Sequence, residues 1–202
     1  MKIICIGRNY RDHALELQND VPTEPVIFLK PDSALLLNNK PFFIPEFSSD
    51  VHHEVELVVR INKLGRHIEA KYAHTYYDEI ALGIDFTARD LQNNLKKKGL
   101  PWELAKAFDQ SALLSPFVPL GNRNIQDLHF TLEKNGQTVQ SGHTADMLFS
   151  VNDIIAFVSK YFTLKIGDLI YTGTPAGVGP VAIGDRLTGF LEGIALFHCN
   201  IK

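Results

Sequence analysis

The sequence predicts one domain of the α+β class that is rich in β-strands and has few, short helices. Three observations support this prediction. Most apolar segments are short and dominated by Val, Ile and Leu, which is typical of buried strands. Only two segments combine a capping signal with apolar residues at helical spacing. No internal repeat, low-complexity tract or linker divides the 202 residues, a length that one domain can fill.

The first part of the chain is expected to alternate short strands with single helical turns. Prolines recur through its first quarter and make it rich in loops. The apolar segments predict strands and helical turns as follows: strands over residues 3–6, 26–29, 54–61 and 79–85, and helical turns over residues 12–17 and 69–74.

A longer helix is predicted after residue 86. Thr87 matches a helix N-cap, and Asp90, three residues later, is the acid of a capping box. Leu91 and Leu95 lie four residues apart and would form the buried stripe of this helix. Gly99 would end the helix as the residue that adopts a left-handed conformation.

The second half of the chain contains a strong hairpin signal. The dipeptide Asn135-Gly136 separates two strand-like segments, residues 128–134 and 137–140, and this dipeptide is typical of a tight hairpin turn. Further strands are predicted over residues 169–172, 186–191 and 194–200, and Glu192-Gly193 would turn the chain between the last two.

A second capped helix is predicted within this half. Ser150 and Asp153 have the spacing of a capping box at its start. The residues at helical spacing that would form its apolar face are Ile154, Phe157, Val158 and Tyr161.

Composition excludes several classes of protein. The net charge is −3, from 20 basic and 23 acidic residues, so no basic surface for nucleic acid or an anionic membrane is expected. Lys96, Lys97 and Lys98 are expected to complement a helix dipole. No segment approaches the roughly 20 apolar residues of a membrane span. Cys5 and Cys199 lie in apolar runs, which predicts buried free thiols and a cytoplasmic location.

Three carboxylates are the most informative residues. Glu54 and Glu56 lie two residues apart in a predicted strand, so their side chains would project from the same face. Asp85 ends another predicted strand. Like charges at such a separation repel unless a cation or a proton lies between them. An oxygen-only ligand set favours Mg²⁺ or Mn²⁺, although the same pattern also occurs on ordinary solvated strand faces.

Other polar residues could complete a site around these carboxylates. His13 and Glu16 are three residues apart on a predicted helical turn, where a carboxylate can raise the basicity of an imidazole. Taken alone, this spacing fits a surface histidine beside a chance acidic neighbour better than a catalytic pair. Arg89 and Gln92 share a helix face after Asp85. The remaining candidates are single residues or a loop, each with an ordinary surface role as the alternative: Lys30 and Lys106, and the glycine-rich turn over residues 171–180.

Together these segments resemble the fumarylacetoacetate hydrolase-like family, and within it the short acylpyruvase/oxaloacetate decarboxylase branch. The resemblance covers nearly the whole chain, and the joint order of the motifs makes it specific. The segments that carry the resemblance are Gly7-Arg8-Asn9-Tyr10 with His13, Phe28-Leu29-Lys30-Pro31, His53-Glu54-Val55-Glu56-Leu57, Asp85-Phe86-Thr87-Ala88-Arg89-Asp90, Lys98-Gly99-Leu100-Pro101-Trp102 with Lys106, and Thr172-Gly173-Thr174-Pro175 with Gly177-Val178-Gly179.

The resemblance implies a fold and a set of site residues. The fold would be a mixed β-roll forming a single catalytic domain over residues 1–202, with a mobile lid within residues 1–24, and the protein would be a homodimer. Glu54, Glu56 and Asp85 would bind Mg²⁺, with Mn²⁺ or Ca²⁺ as other possible ions. The residues implied for catalysis and for substrate binding are, respectively, His13, Glu16 and Lys106, and Arg8, Lys30, Arg89, Gln92 and Thr174.

The function implied is chemistry on a small 2-oxo acid. Because His13 and Glu16 could activate water, hydrolysis of the carbon–carbon bond of acylpyruvate-type 2,4-dioxo acids through a pyruvate enolate ranks first. Oxaloacetate decarboxylation or tautomerisation is the alternative, and isomerisation of 2-hydroxyhepta-2,4-diene-1,7-dioate ranks third. A ligand-binding protein without catalytic activity belongs to a different class, and the complete set of site residues argues against it.

Overall fold

A computed structural model describes residues 1–16, 20–37 and 39–202 of the chain. It has the predicted β-rich α+β fold. The strands are β1 Ile3–Gly7, β2 Val26–Lys30, β3 Leu35–Leu36, β4 Val51–His53, β5 Val55–Ile61, β6 Tyr77–Asp85, β7 Thr87–Ala88, β8 Ala112–Leu114, β9 Val118–Pro119, β10 His129–Lys134, β11 Gln137–His143, β12 Leu169–Tyr171, β13 Gly179–Pro180, β14 Arg186–Leu191 and β15 Ile194–Asn200. The α-helices are α1 Arg11–Glu16, α2 Ala70–Ala73, α3 Arg89–Lys97, α4 Glu103–Lys106 and α5 Val151–Tyr161.

The strands of the described residues form three sheets. The largest has the order β2-β1-β12-β5-β6-β8-β3, with β9 paired to β6 off this path. A four-stranded sheet has the order β11-β10-β14-β15, and a small one has the order β13-β4-β7. Strand β1 is parallel to β12, although more than 160 residues separate them in the sequence, and most other neighbours are antiparallel. The sheet order therefore brings the start of the chain next to its last third.

The main core lies between the sheets and helix α5. Apolar side chains of β5 and β6 are fully buried, and they alternate with residues that face the second, smaller core cluster. Helix α5 has the predicted capping box, because Ser150 accepts from Asp153 and Asp153 reaches back to Ser150. The helix buries Ile154 and Val158 as predicted. Phe157 is only half-buried and Tyr161 is 61% exposed, so the predicted apolar face was too wide.

The hairpin prediction is confirmed in detail. Asn135 and Gly136 both have positive φ, 56° and 80°, and they join β10 to β11 with Lys134 opposite Gln137. Such a turn twists in the same sense as the strands it connects.

Cys5 and Cys199 are buried free thiols, as expected. In the described part of the chain, no helix has the length and apolar character to cross a membrane.

The start of α3 differs from the prediction. Thr87 belongs to β7, the helix begins at Arg89, and the residue before it, Ala88, makes no side-chain cap. The Asp90 carboxylate instead accepts from the hydroxyl of Ser48 at 2.6 Å and from the backbone of Ser49 at 3.0 Å. A distant loop therefore supplies the partners that a local N-cap would have provided. Gly99 ends the helix as predicted, with φ of 63°.

The buried face of α3 also differs from the prediction. Leu91 and Leu95 are half-buried, whereas the fully buried side chains of this helix are Arg89 and Gln92. The helix therefore turns a polar face inward.

The predicted lid is not tested by the structure. Residues 17–19, which include the end of the predicted first helical turn and part of the predicted lid, lie outside the described residues, so the lid stays a prediction.

Candidate active site

Neighbouring strands bring the three predicted carboxylates together. Glu56 lies on β5, opposite Gly83 of β6, and Asp85 ends β6. Glu54 occupies the break between β4 and β5, where its carbonyl accepts from the backbone of Asp85 at 2.8 Å. One oxygen atom from each carboxylate lies within 4.8 Å of the other two, and all three residues are at most 4% exposed. The register of β5 and β6 thus creates the cluster.

Three cationic side chains surround this carboxylate cluster. The Lys106 ammonium donates to Glu54 Oε2 at 2.8 Å, to Asp85 Oδ2 at 2.6 Å and to the hydroxyl of Thr87 at 2.6 Å. Lys30 Nζ lies 2.7 Å from Asp85 Oδ1, and Arg89 pairs with Glu54. Among the described residues, no cation pairs with Glu56, which accepts instead from the backbone N–H of Gly173 at 2.7 Å.

The two glutamates differ in electrostatics because of these partners. Burial alone would raise the pKa of Glu54, but Lys106 and Arg89 outweigh it and hold that pKa well below its usual value. Burial raises the pKa of Glu56 well above its usual value, and repulsion from Asp85 and Glu54 adds to the rise. Among the described residues, Glu56 therefore has no cationic partner, whereas Glu54 and Asp85 each pair with cationic side chains.

The cluster has the chemistry of a site for a hard divalent cation. Three carboxylates converge without a sulfur ligand, which suits Mg²⁺ or Mn²⁺. Asp85 already pairs with Lys30 and Lys106, but among the described residues no cationic side chain pairs with Glu56, the third carboxylate. A buried carboxylate without a counter-charge is costly, and a bound cation would supply that charge. Glu54, Glu56 and Asp85 therefore fit the predicted metal.

Helix α1 places His13 at the same cavity. His13 is 5% exposed, and burial lowers its pKa, so the imidazole is neutral at neutral pH. Its Nδ1 lies 3.5 Å from Glu16 Oε2 but makes no hydrogen bond within the described residues. Glu16 instead accepts from the backbone N–H of Gly177 at 3.1 and 3.2 Å. The two residues are neighbours, as predicted, but here Glu16 is held by the glycine-rich loop.

The glycine-rich loop is joined to the ligand strand through Thr174. Its hydroxyl donates to the carbonyl of Val55 at 2.8 Å and accepts from the Gln140 amide at 2.8 Å. The Gln140 carbonyl oxygen accepts from the Val55 backbone at 3.1 Å. Gln140 is 1% exposed and acts as a support for this part of the site. No local pattern predicts this role, because Gln140 lies on a hairpin 85 residues from Val55 in the sequence.

One cavity collects most of the predicted site residues. Glu16 and Lys30 do not line it: Glu16 lies 3.5 Å from His13 Nδ1, and Lys30 pairs with Asp85. Phe28, Lys96 and Trp102 also line the cavity, and sequence reasoning gave them no role there. The predicted residues that line it are Arg8, His13, Glu54, Glu56, Asp85, Arg89, Gln92, Lys106 and Thr174.

Two buried polar atoms around this cavity, His13 Nδ1 and Arg89 Nε, lack hydrogen-bond partners in the described part of the chain. Unpaired buried groups are costly and uncommon, so two of them at one cavity indicate a place for a ligand. One is a potential base and the other a potential carboxylate-binding group.

The model of the fumarylacetoacetate (FAA) hydrolase C-terminal family matches residues 2–201. The chain belongs to this family. The family prediction from the sequence motifs is thereby confirmed. Relatives in this family have names that describe tautomerases, hydrolases and isomerases, and this chain is an enzyme of the same family.

Two similar proteins are both named oxaloacetate tautomerases. The mouse protein named oxaloacetate tautomerase FAHD1, mitochondrial, is 44% identical over 203 residues, which cover 99% of this chain and 91% of the relative. The Escherichia coli oxaloacetate tautomerase YcgM is 43% identical over 197 residues, which cover 96% of this chain and 90% of the relative.

Solved structures confirm the family fold. Fumarylpyruvate hydrolase from Pseudomonas aeruginosa, in complex with Mn²⁺ and pyruvate, matches with a TM-score of 0.94 at 33% identity, covering 100% of this chain and 89% of that one. The 2-hydroxyhepta-2,4-diene-1,7-dioate isomerase from Mycobacterium marinum matches with a TM-score of 0.86 at 34% identity, covering 99% and 73%. One scaffold therefore carries more than one reaction.

Proposed function

We propose that this protein is a divalent-metal-dependent enzyme that interconverts the enol and keto forms of oxaloacetate. The observation that carries the proposal is the buried cluster of Glu54, Glu56 and Asp85 facing Lys106 and His13 in one cavity. The relatives named oxaloacetate tautomerases favour this reaction over acylpyruvate hydrolysis, which the sequence motifs alone ranked first.

The reaction moves one proton between C3 and the oxygen on C2, and no other atom changes place. A divalent cation held by the three carboxylates would polarise the 2-oxo group and stabilise negative charge on its oxygen. Burial keeps His13 neutral, so its imidazole can accept the proton from C3 and then release one to the oxygen on C2; ketonisation uses the same two transfers in reverse. Although burial opposes it, the charges of Asp85 and Glu54 hold the pKa of Lys106 above its usual value. Its ammonium therefore stays charged and would stabilise negative charge that develops on the oxygen on C2.

The remaining residues bind and orient the substrate. The Arg89 guanidinium is fixed by Glu54 and by Gln92 Oε1, which accepts from Nη1 at 2.6 Å, and it keeps Nε unpaired among the described residues. A planar guanidinium suits the carboxylate beside the 2-oxo group. Thr174 also lines the cavity. These contacts would hold the C2–C3 bond in one orientation relative to His13.

The test follows the enol form of oxaloacetate by its ultraviolet absorbance in the presence of Mg²⁺ or Mn²⁺. We expect the protein to accelerate ketonisation and chelation of the metal to abolish the acceleration. A protein that leaves this rate unchanged, while releasing pyruvate from a 3-acylpyruvate, would contradict the proposal.

Carbon–carbon hydrolysis of acylpyruvates is the second candidate. The proximity of His13 and Glu16, 3.5 Å apart at the cavity, favours it because hydrolysis requires a base for water. The fumarylpyruvate hydrolase structure supports it at the level of fold. Parallel assays of pyruvate release from a 3-acylpyruvate and of oxaloacetate ketonisation rank the two reactions.

We also propose a homodimer, as the family resemblance implies. Large apolar side chains are exposed near one groove, among them Phe47 at 53% and Leu104 at 70%. A second copy of the chain would cover them. One chain has a mass of 22.6 kDa, and light scattering should give twice that value.

The cytoplasmic location stays a prediction, supported by the two buried free thiols.

A further inference from the structure

The cavity face of helix α3 extends beyond Arg89 and Gln92 to Lys96. Gln92 and Lys96 lie three and seven positions after Arg89, which places all three residues on one side of an α-helix. Arg89 and Gln92 are buried, Lys96 is half-buried, and all three line the cavity. Lys97 is exposed and does not line it. Lys96 is therefore separated from the other lysines of its run by the direction in which it points.

Phe28 and Trp102 form an aromatic wall of the cavity, and Lys96 and Lys106 lie against its two rings. Lys96 Nζ lies 5.6 Å from the centroid of the Trp102 ring, and that ring lies 6.0 Å from the ring of Phe28. At the other end, Lys106 Nζ lies 5.1 Å from the centroid of Phe28. Aromatic faces attract cations, so the two rings hold one ammonium at each end of the wall.

The backbone brings Arg8 to the same wall. A Cβ atom added at Gly7 would lie 3.8 Å from Cζ3 of Trp102, so the chain passes close to this ring just before Arg8. Arg8 has a left-handed φ of 61°, an uncommon conformation outside glycine, and it lines the cavity. Left-handed backbone at a non-glycine residue is often associated with a functional site.

The charges of Lys96 and Arg8 are not balanced. Among the described residues neither side chain has a carboxylate within ion-pair distance, whereas Lys30, Arg89 and Lys106 each have one. Partial burial, with Arg8, Arg89 and Lys106 nearby, lowers the pKa of Lys96 to about 8. Positive charge therefore accumulates at this end of the cavity, where an anion would relieve the repulsion.

We infer that Lys96 and Arg8 form a second anion subsite, which selects 2-oxo acids carrying a second carboxylate at the end of the molecule opposite the first. This inference rests on the proposed function, which places the 2-oxo end of the substrate at the carboxylate cluster. Oxaloacetate is such a dianion. Lys96 and Arg8 touch the distal carboxylate and not the reacting atoms, so they determine specificity and do not take part in proton transfer.

The test compares two ligands, 2-oxoglutarate and 2-oxopentanoate, by calorimetry with Mg²⁺ present; the first ends in a carboxylate where the second ends in a methyl group. We expect the wild-type protein to bind 2-oxoglutarate more tightly. Lys96→Gln should weaken 2-oxoglutarate binding by roughly tenfold or more, as expected for a charge-assisted contact. It should leave the affinities for 2-oxopentanoate and for oxalate, which reports on the cluster alone, within about twofold.

Two further variants complete the design. Lys97→Gln removes the same charge from the same helix outside the cavity, and it should bind both acids as the wild type does. Lys96→Arg keeps the charge and should retain the preference for 2-oxoglutarate. Wild-type affinities that do not differ between the two acids, including binding of neither, overturn the inference, as does an equal loss for both acids in Lys96→Gln.

The binding result can be distinguished from the fate of the proposed reaction. If Lys96→Gln loses the preference for the dicarboxylate but the wild type does not ketonise oxaloacetate, the subsite stands and the reaction fails. If oxaloacetate is ketonised equally well by the wild type and by Lys96→Gln, with no change in binding, the reaction stands and the subsite fails.

Discussion

The ammonium of Lys106 lies 2.6 Å from Asp85 Oδ2, inside the carboxylate cluster that fits a divalent cation. It also donates to Glu54 at 2.8 Å, so one positive charge bridges two of the three candidate ligands. A bound cation and Lys106 would therefore share the same negative charge. This relationship makes the stability of the protein and its affinity for metal depend on the same side chain.

Lys106→Met should destabilise the metal-free protein. Breaking a buried ion pair costs about 3–5 kcal/mol, and the lower end applies because Glu54 keeps Arg89 and Asp85 keeps Lys30. Mg²⁺ should then raise the melting temperature more than it does in the wild type, since the cation no longer competes with the ammonium. Thermal melts with EDTA and with Mg²⁺ test this, with the exposed Lys97→Met as control. An unchanged metal-free melting temperature would show that the bridge contributes nothing.

Glu56→Gln should remove the effect of metal while leaving the fold intact. The amide keeps the shape of the side chain and can still accept from Gly173, but it removes a charge that Asp85 and Glu54 repel. The metal-free melting temperature should stay the same or rise, the rise on adding Mg²⁺ should disappear, and activity should be lost. Glu46→Gln, at an exposed position, is the control. Full activity at limiting Mg²⁺ would rule out Glu56 as a ligand.

His13→Gln should affect some reactions more than others. A positioned base contributes about 10²–10⁴-fold, so ketonisation of oxaloacetate and hydrolysis of acylpyruvates should fall by about that factor. Decarboxylation of oxaloacetate needs no base at C3 and should fall less. Oxalate affinity measured on the same preparation shows whether the cavity is intact. Equal losses in all three reactions with unchanged oxalate binding would argue against His13 as the base.

The preference for a dicarboxylate should depend on pH through Lys96. Its pKa of about 8 means that the side chain is a cation below that pH and loses its charge above it. The groups that face it are Arg8, Arg89 and Lys106, with Glu54 as the opposing charge. The ratio of kcat/KM for oxaloacetate to that for an acylpyruvate with an uncharged acyl group should therefore fall as the pH passes about 8.

Lys96→Arg supplies the matched comparison, because its guanidinium stays charged over this range. Its ratio should be flat where that of the wild type falls, and parallel profiles would assign the change to another group.

The lowered pKa of Lys96 also makes the stability of the protein depend on pH. The folded pKa lies below that of an unfolded lysine, about 10.4. Between these values the unfolded chain binds more protons, so the contribution of Lys96 to stability rises with pH through this window.

The local sequence was sufficient to predict features that depend on neighbours a few residues apart. Asn135-Gly136 favours a tight turn by its own backbone preferences, and Ser150 with Asp153 satisfies a helix start without help from the rest of the chain. The apolar segments predicted the long strands for the same reason. The motifs around Glu54, Glu56 and Asp85 identified the family, because their order along the chain is itself sequence information.

Only the tertiary structure decided which residues meet. Asp85 reaches Glu54 through the register of β5 and β6, and Gln140 supports Val55 from a hairpin in another sheet. Thr87 was a plausible cap by sequence, yet Ser48 and Ser49 supply the partners of Asp90 from a distant loop. Lys96 is one of three consecutive lysines, and only its direction relative to Trp102 separates it from Lys97. Such contacts depend on sheet order and helix orientation, which are set by packing over the whole domain and have no local signature in the chain.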